Sequence, residues 1–141
     1  MKDFVFQIDG ELPAQNEIIE ALNSRSRHVY NDMKRRETDR VAWAVINAVP
    51  VMAGKKKGKV PEFDRVKVQI LFIIPNLRKD PDNIIGSQKF ILDGIVKSGI
   101  LKNDGMKQIA GFSHNFKLSR KNPRIIVRLI TTDEEIEEIE N

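Results

Sequence analysis

Apolar and polar positions alternate near both ends of the chain and recur at helical spacing between them, a pattern that predicts a mixed α/β domain. Phe4-Val5-Phe6-Gln7-Ile8 is a β-prone run stopped by Asp9-Gly10. Beyond Pro13 to Asn16, the segment Glu17-Ile18-Ile19-Glu20-Ala21-Leu22 predicts a short helix, and Asn23-Ser24-Arg25-Ser26-Arg27 a polar, basic connection. From His28 to about Val49 the spacing predicts a long helix. Val41, Val45 and Ala48 form its apolar stripe, Trp43 and Ile46 lie beside it, Trp43 as a core residue, and Pro50 stops it. Val66 to Ile74 starts in alternation and ends apolar on both faces, as strands do in a sheet covered by helices.

A further helix is predicted from Pro81 to about Val96, with Gly99 as its C-cap. Ile109–Leu118 and Arg124–Ile130 then read as strands joined closely enough, through Lys121-Asn122-Pro123, to pair as a hairpin. The expected fold is a single α/β (α+β) domain over residues 1–132, with a mixed sheet of about four strands and about three helices. Residues 133–141 are expected to be an acidic, disordered tail.

Charge narrows the partner. The formal charge is +4, yet the last nine residues hold six acids and no Lys or Arg, so residues 1–132 carry 24 basic against 14 acidic residues, or +10. A body that basic suits a polyanion, with nucleic acid first. The run Gly54-Lys55-Lys56-Lys57-Gly58-Lys59 is a basic loop able to hold phosphates, although most lysine runs are plain solvated surface. With no cysteine, disulfides, thiolate metal sites and a cysteine nucleophile are excluded. No apolar run reaches the roughly 18–20 residues that span a bilayer. Met1-Lys2-Asp3-Phe4 lacks a signal peptide's apolar stretch, so a cytoplasmic protein without membrane contact is expected.

The candidate chemistry lies around Asp80-Pro81-Asp82-Asn83. On one continuous helix at about 100° per residue, Asp82, Gly86, Lys89 and Asp93 share a narrow face along the edge of the apolar stripe. Asp80 before Pro81 also suits an N-cap with proline at the first helical position. Lys89 and Asp93 suit an i, i+4 ion pair, and Asp104-Gly105 a turn. Phosphodiester hydrolysis needs a hard cation, and Mg²⁺ takes oxygen ligands while keeping several waters. Asp80, Asp82 and Asp104, with Lys89 for the phosphate, supply that inventory. His28 and His114 are too few and too far apart in sequence for a histidine metal site and read as solvent or packing residues. Phe112 and Phe116, alternating with polar residues, read as core.

Asp80-Pro81-Asp82-Asn83, then Lys89-Phe90-Ile91-Leu92-Asp93, Gly99 and Asn103-Asp104 resemble the RusA family of Holliday junction resolvases, with its D-x-D-N motif, helix lysine and later aspartate. Pro13-Ala14-Gln15-Asn16-Glu17 is similar to that family's N-terminal P-x-x-N loop. The resemblance runs from Phe4 to about Ile130 and is strongest between Leu71 and Asp104. It implies a homodimer that cleaves four-way DNA junctions symmetrically with Mg²⁺, or with Mn²⁺ in its place. Asp80, Asp82 and Asp104 would then be metal ligands and catalytic residues, and Lys89 would be essential. DNA contacts are expected from Asn16, Arg25, Arg27, Lys34, Arg35, Lys55, Lys56, Lys57, Arg78 and Lys79. One departure stands out: the family's lysine lies four residues after the second aspartate, where this chain has Gly86. Matching Lys89 instead requires three inserted residues, a helical rotation of about 300° and a rise of about 4.5 Å. The alternative is a protein on the same fold that binds branched DNA without cutting it.

Overall fold

A computed structural model describes residues 3–49 and 59–140. Lys55, Lys56 and Lys57, expected to contact DNA, lie outside the described residues. In chain order the elements are β1 (Asp3–Asp9), α1 (Gln15–Leu22), α2 (Arg27–Asn47), β2 (Val66–Ile74), α3 (Pro81–Ile85), α4 (Gln88–Ser98), β3 (Ile109–Leu118) and β4 (Arg124–Thr131). The strands form one mixed sheet in the order β1-β4-β2-β3. β2 runs parallel to β3, and β4 is antiparallel to both β1 and β2. This is the α+β fold with a mixed four-stranded sheet that the pattern predicts.

The core sits between one face of the sheet and the helices. Val68, Ile70 and Phe72 of β2, Ile125, Val127 and Leu129 of β4, and Phe6 and Ile8 of β1 pack with Val41 and Val45 of α2 and with Phe90, Ile91 and Ile95 of α4. The alternate positions, among them Val5, Gln7, Gln69, Ser113, Asn115, Lys117 and Arg128, are exposed. Helices therefore cover one face, not two. Ile73 is buried on the other face, in register with Lys117 and Arg124.

Three further expectations are corrected. β3 and β4 do not form a hairpin; they flank β2, and the link between them crosses its end, with Ser119 N donating to Ile74 O at 2.8 Å. The reason is burial. β4 brings three buried apolar residues to the sheet centre, whereas β3 has a single buried position, which suits an edge. The third predicted helix is divided at Gly86-Ser87 into α3 and α4, and Ser87 turns its hydroxyl back to Ile84 O at 2.8 Å. Trp43 is 61% exposed, because α2 buries the face of Val41, Ala42 and Val45 instead. Gly99 caps α4 in the left-handed region at φ 90°, as predicted.

α2 and α4 are in close contact at Gly94. A Cβ there would lie 2.4 Å from Val41 Cβ and 3.0 Å from Ala42 N. Gly94→Ala should therefore destabilise the fold by about 1–3 kcal/mol through overpacking, read as a lower urea midpoint with unchanged slope. An unaltered midpoint would show that the helices can part without cost.

Candidate metal centre and nucleic-acid interface

Two loops meet at the end of the sheet where β1 and β2 finish. One runs from Gly10 into α1 and the other from Pro75 into α3. Asn83 Oδ1 accepts from Asn16 N at 2.8 Å, so a side chain of the second loop's helix caps the first. Lys79 Nζ lies 3.2 Å from Glu17 Oε1 and 3.9 Å from Glu11 Oε1. Arg40 adds backbone ties to Asp9 O and Glu11 O. Gly86 explains itself here: a Cβ on it would fall 2.5 Å from Gln15 Oε1 and 2.6 Å from Gln15 Cβ. The position where the family pattern has lysine has no room for any side chain.

Asp80 occupies the N-cap of α3, with extended backbone, and Pro81 takes the first helical position. Its carboxylate makes no capping bond, so the capping role is filled by the backbone alone. Asp82 Oδ1 accepts from Asn83 N at 2.9 Å. Both carboxylates are exposed. Two carboxylates with one residue between them, at the N-cap and first turn of α3, fit the partial ligand set that Mg²⁺ accepts, the rest of its shell being water and phosphate oxygen.

Asp104 is elsewhere. It precedes β3, and that region is tied to the beginning of β2 by Phe63 N to Ile100 O and Val66 N to Gln108 O, each 2.8 Å. The nine residues of β2 thus separate it from Asp80 and Asp82 by on the order of 25 Å, at about 3.3 Å per residue. The three acids expected to share one cation do not meet within one chain. Among the described residues no group of three or more His, Asp or Glu side chains is placed to hold a metal ion.

Lys89 is exposed near the start of α4, while Asp82 lies on the separate short helix α3. The Lys89–Asp93 ion pair is not formed; Asp93 Oδ2 is buried without a hydrogen-bond partner. Arg25 and Arg27 are exposed at the α1–α2 turn, and Lys34 and Arg35 on the first half of α2, where Arg35 pairs with Asp32 at 3.0 Å. Arg78 is exposed beside the acidic pair, its N–H held by Asn76 Oδ1 at 3.0 Å. Lys79 is engaged with the two glutamates, and Asn16 with Asn83. Among the described residues no helix is long and apolar enough to cross a membrane.

Several side chains escaped the sequence reading. Lys67, Lys117, Arg124 and Arg128 lie on the uncovered face of the sheet, and the polar alternation Ser113, Asn115, Lys117 was the signal for it. Phe116 stacks on Phe72 at 5.6 Å, as a core residue, while Phe112 is 42% exposed. His114 is a packing residue, stacked between Phe72 and Phe112 and bonded to Gln88. Comparison of the chain with models of known protein families and with curated proteins finds no match.

Two predictions follow the geometry. Asn83→Ala should cost about 1 kcal/mol by uncapping α1, and amide exchange at Asn16 should accelerate; unchanged protection would show that the bond is dispensable. Burial holds the His114 ring below its ordinary 6.5. The unfolded chain then binds more protons than the folded one just below that value, so stability falls as pH drops through it. A urea midpoint that declines between about pH 7 and 5, and declines less in His114→Gln, is the expected result.

Proposed function

We propose that the chain is a Mg²⁺-dependent endonuclease that cuts four-way DNA junctions, in the manner of the RusA resolvases, and works as a homodimer. The observation that carries this reading is the bond between Asn83 and Asn16. It joins the two stretches of resemblance, which are 67 residues apart in sequence, and leaves Asp80 and Asp82 open beside them.

Asp80 and Asp82 would hold the cation through carboxylate oxygens, with Mn²⁺ able to replace Mg²⁺. The ion, when bound, polarises a phosphoryl oxygen and lowers the pKa of an attacking water. Arg78 then holds the neighbouring phosphate, and Lys89 a phosphate further along the helix layer. Glu11 and Glu17 keep Lys79 off the two aspartates, so the acidic pair is not neutralised from within. Asp104 reaches this place only from a second copy, which accords with the symmetry of two paired cuts.

A second reading, a protein that binds branched DNA without cutting it, is favoured by two observations: Gly86 excludes a lysine, and Asp104 is remote from the acidic pair. Incubating a synthetic four-way junction and a linear duplex with Mg²⁺ or EDTA separates the readings. Paired nicks on the junction alone, only with metal, and a loss of about 100-fold or more in Asp82→Ala with binding retained, are expected. Undiminished cutting by Asp82→Ala would sink the assignment, and binding without nicks would favour the second reading.

A further inference from the structure

The sheet face turned away from the helices carries a band of basic and polar side chains that the acidic pair does not use. Lys117 and Arg124 flank Ile73 in register, Arg128 flanks Gln69, and Lys67 lies two residues further along β2. Gln69, Ser113 and Asn115 are exposed among them and, together with the apolar Leu71 and Ile126, help line a shallow depression of about 400 Å³. The acids on this face, Asp3 and Asp9, sit on β1 beside β4, with Asp9 in register with Arg124. Asp3 pairs with Arg128 at 2.8 Å. Lys117 makes no ion pair among the described residues, and Arg124 donates only to Asn122 O, at 2.9 Å. The Lys117–Arg124 end of the band is the end of the sheet from which the chain leads to Asp80.

The acidic tail enters this face from the other end. Thr132 N donates to Arg65 O at 3.1 Å, and Arg65 Nε donates to Glu134 O at 2.7 Å. The Glu134 carboxylate then reaches Lys67 Nζ at 2.7 Å. Residues 133–140 have no regular structure and all are exposed. From Glu134 the six residues to Glu140 extend about 20 Å at ~3.3 Å each. Six residues of β2, from Lys67 to Ile73, cover the same length. Glu135, Glu137, Glu138 and Glu140 lie within that reach, with no basic residue among them.

We propose that the uncovered sheet face is a contact surface for DNA phosphates and that the acidic tail, anchored by Glu134 on Lys67, competes with DNA for it. This rests on the DNA-binding reading above and extends it to a surface remote from the helix layer. A flexible polyanion held next to a basic surface raises the local concentration of negative charge there, and DNA has to displace it.

The test is anisotropy titration of a fluorescein-labelled four-way junction across a range of NaCl concentrations, using the full-length chain. In one variant the tail is neutralised by Asp133→Asn together with Gln at Glu134, Glu135, Glu137, Glu138 and Glu140. In another, Lys117→Ala and Arg128→Ala are combined. Tail neutralisation should tighten binding about tenfold at low salt. The double alanine variant should flatten the slope of log Kd against log salt by about 1.8, at ~0.9 per lost phosphate contact. It should also abolish most of the gain from neutralising the tail. A wild-type chain that binds the junction, with no gain on neutralisation or no change of slope, overturns the inference and leaves the DNA-binding reading standing. No binding by any form overturns both.

Discussion

Because β2 and β3 run parallel, the chain leaving β2 has to travel the length of the sheet before β3 begins. α4 makes that journey, and its helical face is pressed on α2 at Gly94, where no larger residue fits. The crossover fixes what each end of the molecule can do. Asp80 and Asp82 follow β2 and stand at one end; Asp104 precedes β3 and stands at the other. A single helix turn cannot bring them together, so under the proposed function cooperation among all three would need an assembly, while a single chain would offer two carboxylates.

At the acidic end, side chains are arranged so that the aspartates remain available. The backbone of Asp80 starts α3 while its carboxylate is left free, and Asn83 spends its oxygen on α1 rather than on its own helix. Lys79, the nearest lysine in sequence, is drawn away to Glu17 and Glu11. Gly86 lets α1 approach until Gln15 touches the helix backbone. The same close approach that fastens the two loops removes the place for a lysine at Gly86, so in the proposed function Arg78 or Lys89 would serve the phosphate.

The long periodic elements were legible in the sequence because burial set their pattern: the stripe of α2, the alternation of β2 and the glycine cap of α4 were all readable. Strand order was not, since Lys121-Asn122-Pro123 suits a hairpin turn as well as a crossing. The greater burial of Ile125, Val127 and Leu129 decided for the centre of the sheet. Trp43 was misplaced because a glycine on another helix, Gly94, determined which side of α2 was buried. The helix break was also illegible, since Gly86 answers to Gln15, 71 residues earlier in sequence, and no local signal reports that contact. Spacing gave Asp80 and Asp82 their shared turn, yet it could not give the distance to Asp104, which depends on the direction of β3.

The claim on which the account turns is that Asp80 and Asp82 form a cation site on the folded chain. Titrating Mg²⁺ into ¹⁵N-labelled protein and following amide shifts tests it most directly. The account predicts saturable shifts centred on Asp80, Asp82, Asn83 and Asn16, lost in Asp82→Asn while the remaining spectrum is preserved. Shifts confined to residues 133–140, or none at millimolar Mg²⁺, would contradict it.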